Sequence, residues 1–275
     1  MWQLSGFADE ISPDVNEQCR IFHGLGIHHL EVRSAWGTNV LDLDSAQLSD
    51  LVKLLTEHKL EVSSIGSPIG KVYLDEDFTE HLARMRHAAD VARRLGTRYI
   101  RIFSFFMRPG INPDNCRDDV MGRLAQLARI AEAHDVTLIH ENEKDIYGDT
   151  PTRCRDLVES VASDHLRATW DPANFVQVGC APYDEGYELL RPYLVYMQIK
   201  DAVALTGAVV PAGQGDGQIR ETIRALRAHE FDGFFSLEPH LGYGHRMGGF
   251  SGPELFTAAW RAFVQMLASE NIEYE

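Results

Sequence analysis

Cysteine is scarce in this chain of 275 residues: Cys19, Cys116, Cys154 and Cys180 lie far apart and form no C-x-x-C pair. That excludes a disulfide framework or a zinc knuckle as the organising device, and it points to reduced thiols in a cytoplasmic protein. Positive charge is also short, with 26 Lys and Arg against 41 Asp and Glu, a net charge of −15. A nucleic-acid partner, which needs an accessible basic stripe, is therefore not expected. Long apolar runs are missing, so no membrane span is expected. Met1 to Phe7 is too short, and too soon followed by Asp9 and Glu10, to read as a signal peptide. No proline- or glycine-rich linker and no low-complexity stretch divides the chain. A nucleotide fingerprint after the first strand is missing too. Gly24-Leu-Gly26 closes a helix and reads as a turn, which sets aside an open doubly wound nucleotide-binding sheet.

What remains is 44% hydrophobic residues, enough for a sizeable core, arranged in a repeating rhythm. Strands are expected at Trp2 to Phe7, Ile27 to Val32, Leu60 to Ile65, Tyr99 to Phe103, Val136 to His140, Leu166 to Trp170, Leu194 to Ile199 and Gly233 to Leu237. Between them lie helical stripes such as Val15, Cys19 and Phe22, or Leu48, Leu51, Val52 and Leu55. Ser12-Pro13, Ser45, Thr150-Pro151 and Ser251 are expected to open helices, and Gly26 to close one. Pro182 to Leu190 reads as a short helix. Eight strand–helix units predict α/β architecture, a single (β/α)8 TIM barrel spanning residues 1–275.

Four consecutive strands end in oxygen donors: Glu141 with His140, Asn142 and Glu143 around it, Asp171, Gln198 with Lys200 and Asp201, and Glu238 followed by Pro239 and His240. In such a barrel the C-terminal strand ends share one mouth. Three carboxylates and one amide oxygen, without thiolate or imidazole, suit Mn²⁺ first, then Mg²⁺ or Co²⁺. Without an ion the carboxylates would repel one another and some would keep protons. The loop from His240 to Phe250 carries glycines at 242, 244, 248 and 249 together with His245 and Arg246. It reads as a lid, a substrate clamp or a phosphate cradle, or simply as a loose connection. Glu31, Arg33, Trp36, Lys71, Phe103 and Phe105 also lie at strand ends or just after them.

These segments carry a family resemblance. Gly6-Phe-Ala-Asp-Glu-Ile-Ser12, Leu30-Glu31-Val-Arg33, His140-Glu141-Asn142, Asp171-Pro-Ala-Asn174, Gln198-Ile-Lys-Asp201 and Leu237-Glu238-Pro239 follow in order along nearly the whole chain. The sequence resembles the xylose-isomerase-like TIM-barrel superfamily of sugar isomerases and epimerases. The resemblance implies that Glu141, Asp171, Gln198 and Glu238 ligate a divalent metal, and that Glu141 and Glu238 form the acid/base pair. It departs from the epimerases at Gln198, where they usually carry histidine, and at Glu143, where histidine is frequent.

The implied chemistry is loss of a proton next to a carbonyl of a sugar or keto-sugar, with a metal-held enediolate. His140 is a further candidate base. Lys200, Glu143, Asn174, His240 and Arg246 are expected to contact substrate, Lys200 alternatively pairing with Asp201. The leading expectation is an isomerase or epimerase. The alternative is a lyase or deglycosidase acting on a 3-keto-sugar or 3-keto-glycoside by β-elimination, which His140 beside Glu141 would favour. A DNA-repair endonuclease is disfavoured by the charge, and a catalytically dead binding barrel by four intact ligands. A homo-oligomer or a partner subunit stays open.

Overall fold

The computed structural model describes residues 1–245 and 248–275. Eight parallel strands form the barrel wall: β1 (Gln3–Gly6), β2 (His29–Val32), β3 (Glu61–Ile65), β4 (Tyr99–Ile102), β5 (Thr137–Glu141), β6 (Leu166–Trp170), β7 (Leu194–Ile199) and β8 (Phe234–Leu237). Ladders run β2-β3-β4-β5-β6-β7-β8-β1, so the last strand pairs with the first, Gln3 opposite Phe234 and Gly6 opposite Leu237. Between β1 and β2 no ladder runs among the described residues, although the two lie side by side. The barrel is thus nearly closed.

The expected helices surround it, with α6 as an addition that the sequence reading does not contain: α1 (Val15–Leu25), α2 (Ser45–Glu57), α3 (Thr79–Arg94), α4 (Arg117–Ala133), α5 (Pro151–Val161), α6 (Pro172–Gln177), α7 (Tyr187–Leu190), α8 (Ile219–Ala228) and α9 (Gly252–Ser269). Their apolar stripes meet the outer face of the strands in one main core. Trp2 stacks on Phe235 with ring centres 4.1 Å apart. Several helix starts differ from the sequence reading. Asp14, not Ser12, caps α1, and Asp44, not Ser45, caps α2 in a capping box with Gln47. Thr150 and Ser251 flank their helices without a capping bond. Gly26 ends α1 in the left-handed conformation, as expected of a glycine there. The segment expected as one helix from Pro182 divides into a wide turn over Pro182–Gly186 followed by α7.

The inside of the barrel is layered. At its lower end Phe234 packs beside His29, Tyr99 and Tyr196, with ring centres 5.1 to 6.4 Å away. Above this aromatic floor the interior is polar, unlike the branched aliphatic filling usual in such barrels. Ser63 Oγ lies 2.6 Å from Ser5 Oγ and 2.8 Å from the Tyr196 hydroxyl, spanning strands that are not neighbours. Glu31 and Arg101 are also buried there. Burial, against the pull of Arg101, raises the Glu31 carboxyl to about 7. The polar middle layer is followed by the charged mouth. None of the helices among the described residues is long and apolar enough to cross a membrane.

Candidate metal centre and its surroundings

Pleating decides which side chains reach the mouth, because neighbours along a strand face opposite ways. On β5, Glu141 turns inward: its Oε2 lies 3.1 Å from Arg101 Nη1, which also donates to Glu238 Oε1 at 3.4 Å across the barrel. His140 must then face the helices, and it does. Its ring nitrogen Nε2 is 2.9 Å from Ser104 Oγ. The ring fills the space beside Gly148 and Leu157, where a methyl group on Gly148 would overlap it. This corrects the expectation for His140. It is a buried imidazole that ties the loops after β4 and β5, and burial alone lowers it to about 3.

Asp171 ends β6 and caps α6, accepting from Asn174 N at 3.0 Å. Asn142 and Asp171 exchange amide bonds, Asn142 Nδ2 donating to Asp171 O at 2.8 Å and Asp171 N to Asn142 Oδ1 at 2.9 Å. Asn174 Nδ2 donates to Glu141 Oε1 at 3.2 Å and to Asn142 O at 2.8 Å. These asparagines lock the ends of β5 and β6 together and aim both carboxylates. Lys200 does not pair with Asp201. Its ammonium lies 2.6 Å from Asp171 Oδ2 and 3.0 Å from Glu238 Oε2. Asp201 instead accepts from the backbone of Gly213, Gly215 and Gly217 and shapes that loop.

One oxygen each of Glu141, Asp171 and Glu238 lie within 4.8 Å of one another. Burial raises Glu141 to about 8 and Asp171 to about 6, against the cations beside them. Glu238 is buried as well, but Lys200, His240 and Arg101 hold it well below the usual carboxylate range. Gln198, on the strand between β6 and β8, is fully buried, and neither its amide oxygen nor its nitrogen has a hydrogen-bond partner. Leaving such a group unpaired costs about 1–3 kcal/mol. A divalent cation would satisfy the orphaned amide oxygen and draw the three carboxylates together. The residues therefore fit one.

His240, just past β8, has a positive φ of 48°. Its Nε2 sits 3.3 Å from Glu10 Oε1 and 3.4 Å from Glu238 Oε1. Glu10 Oε2 accepts from His240 N at 2.9 Å and from Ser251 Oγ at 2.7 Å. Ser251 thus spends its hydroxyl on Glu10 rather than on α9. A hairpin, Tyr243–His245 against Gly248–Phe250, covers the histidine. Arg33 donates to Asp9 at 2.8 Å, to Glu238 at 3.3 Å and to Gly249 O at 3.0 Å. Lys71 Nζ lies 3.6 Å from Glu143 Oε2. Arg246 lies outside the described residues. Sequence reasoning overlooked Arg101 and Glu10. A lone arginine inside Tyr99-Ile-Arg-Ile-Phe103, at an inward-facing register, was the available signal.

Two cavities open at this mouth. One of about 330 Å³ is lined by Glu143, Asn174, Lys200 and His240, among others. The other, about 620 Å³, is lined by Arg33, Lys71 and Arg101 together with hairpin residues Tyr243, Gly248 and Phe250.

Comparison with known proteins gives three kinds of likeness. A family model described as xylose isomerase-like TIM barrel matches residues 21–272. A 2-epi-5-epi-valiolone 7-phosphate 2-epimerase from Actinoplanes sp. is 32% identical over 146 residues, 53% of this chain and 51% of that protein. The match thus spans about half the length of the curated relative. Among solved structures, a D-tagatose 3-epimerase-like protein superposes with a TM-score of 0.79 at 15% identity, covering 98% of both chains. A xylose isomerase-like TIM barrel protein from Mycobacterium smegmatis, solved in complex with magnesium, gives 0.72 at 20% identity, covering 98% of this chain and 96% of that one. At these identities the structural likeness shows the fold.

Proposed function

The chain belongs to the xylose isomerase-like TIM-barrel family, and from that premise we propose that it is a divalent-metal-dependent isomerase or epimerase of a sugar or keto-sugar. The reaction moves a proton on a carbon next to a carbonyl. The observation that carries this reading is the cluster of three carboxylate oxygens beside the orphaned amide of Gln198. Glu141, Asp171, Gln198 and Glu238 would hold the ion. Mn²⁺ is the first ion to test, with Mg²⁺ and Co²⁺ as alternatives, because the donors are hard and contain no thiolate. Once bound, the ion supplies positive charge to the substrate oxygen that becomes negative as the proton leaves.

The chain's own groups do the rest. Glu238, held ionised by Lys200, His240 and Arg101, is one proton-transfer group. Glu141 shares Arg101 Nη1 with Glu238 and serves as the second proton-transfer group, so that a proton taken by one carboxylate is returned by the other. Lys200 and Glu143 line the smaller cavity and offer a donor and an acceptor to substrate hydroxyls. The elimination alternative leaned on His140 as an extra base. With its ring turned to Ser104, that support falls away, and proton transfer without loss of a leaving group is favoured.

Two measurements test the reading. Elemental analysis should find one divalent ion per chain after Mn²⁺ loading, and far less in Glu238→Gln. Incubation in D₂O with a panel of ketoses, inososes and 3-keto-glucosides should place deuterium next to the carbonyl of a substrate or product. A chain that stays metal-free after loading would sink the proposal. So would turnover with no primary isotope effect, on substrate deuterated at that carbon and with chemistry rate-limiting.

A further inference from the structure

Beside the carboxylate centre, Arg33, Lys71 and Arg101 converge on the cavity of about 620 Å³, a size within the roughly 300–1,000 Å³ of small-ligand sites. Their side chains are only 6%, 5% and 3% exposed. Two buried phenyl rings hold them in a fixed array. Arg33 and Arg101 lie over Phe7 at 4.8 and 4.9 Å, and Lys71 and Arg101 over Phe103 at 4.3 and 5.0 Å. Lys71 is delivered there by its neighbour. Gly70 has φ 89°, and a methyl group on it would overlap the Phe103 carbonyl oxygen, so only glycine allows the loop to lie this close to β4. Arg101 Nε is buried with no hydrogen-bond partner. The carboxylates near the array are already engaged: Asp9 by Arg33, Glu143 by Lys71, and Glu141 and Glu238 at the proposed ion site.

Each of the three cations already meets a carboxylate, but the buried Arg101 Nε is left without an acceptor, a costly state for a charged group's N–H. We infer that this cavity is the subsite for an anionic group on the substrate, a phosphate monoester or a carboxylate, gripped by Lys71, Arg101 and Arg33 while the polyol or keto end reaches the carboxylate centre. The inference rests on the metal-dependent reading of that centre and adds the substrate's charge class to it. A planar guanidinium and an ammonium set at fixed angles suit several oxygens of one anion at once. Tyr243, Gly248 and Phe250 line the same cavity.

The test uses the full chain loaded with Mg²⁺, titrated calorimetrically with inorganic phosphate and, separately, with acetate. Wild type should bind one anion per chain, the tighter of the two naming the group the substrate carries. Lys71→Met and Lys71→Gln should each weaken that binding at least about tenfold, because a hydrogen bond to a charged group is lost. Lys71 is chosen because it touches none of the four proposed metal donors. Circular dichroism and metal content of the same samples report folding and the ion site. Failure of wild type to bind either anion, or equal binding by both variants, overturns the subsite. One ion per chain with no anion bound defeats the subsite and leaves the metal reading standing. Anion binding without any ion does the reverse.

Discussion

Gln198→Leu is expected to stabilise the metal-free protein and to shrink the stabilisation that metal confers. The Gln198 amide is fully buried and both its polar atoms lack a hydrogen-bond partner. In the metal-free chain this orphaned amide costs about 1–3 kcal/mol. Leucine has nearly the same shape and no polar atoms, so the metal-free variant should be more stable than metal-free wild type by about that amount. For a domain of this size that is a rise in Tm of roughly 2–5 °C. An ion at 100 times its Kd stabilises wild type by about 2.7 kcal/mol. If losing one donor of four weakens the ion tenfold, the variant gains only about 1.4 kcal/mol under the same conditions. The increment from metal should therefore shrink by about 1.3 kcal/mol while the starting point rises. Urea unfolding with EDTA and with saturating Mn²⁺ reads both quantities. A metal-free variant less stable than metal-free wild type would refute the argument from the orphaned amide. Equal metal increments in the two proteins would refute Gln198 as a ligand.

Three further outcomes follow from the same geometry. Burial lowers His140 to about 3 from the ordinary imidazole value of about 6.5, so the unfolded chain binds the extra proton first and stability falls as pH drops below about 6.5. At pH 5 the loss is about 2 kcal/mol. In His140→Gln urea melts at pH 5 and 7.5 should differ less than in wild type, and solvent deuterium exchange into substrate should persist; abolished exchange with metal still bound would restore His140 as a base. Gly70→Ala places a side chain at φ 89° against the Phe103 carbonyl and should cost more than about 2 kcal/mol; an unchanged denaturation midpoint would show that the loop relaxes. Residues 241–250, with glycines at 242, 244, 248 and 249, should gain hydrogen-exchange protection when Mg²⁺ and inorganic phosphate are both present. Equal, strong protection in both states would contradict a moving lid.

The barrel was legible because each strand and helix carries its own apolar period, and a period survives small errors at the ends. Caps were less legible. Asp44 and Ser45 are adjacent and both competent, and only the reciprocal bond with Gln47 decides between them. The four proposed metal donors stood out because each ends a strand, a position that a parallel barrel brings to one mouth. His140 was misread by proximity in sequence. The pleat turns it away from Glu141, and the parity of β5 already contained that information. Arg101 was passed over because a single arginine in an apolar strand carries no local sign of an inward partner. That partner, Glu238, arrives from the far end of the chain. The alternative pairing of Lys200 with Asp201 fails for the same reason, since its carboxylate partners come from β6 and β8 rather than from the next residue.

The carboxyl of Glu10 has a consequence for the order in which the chain assembles. It lies just after the first strand, yet it holds His240 N and Ser251 Oγ, and its own carbonyl accepts from Ser251 N at 2.9 Å. The seat of the hairpin is thus made early in synthesis and its occupant last. Arg33 and Arg101 emerge long before Glu238, which both contact across the mouth. During vectorial growth on the ribosome these arginines wait without that partner, and contacts of such long sequence separation form slowly. A chain arrested before β8 has most of its apolar wall, and Asp9 and Glu141 beside the two arginines, but lacks the one carboxylate that both arginines share across the mouth. The charges at the mouth therefore report that the final unit has closed.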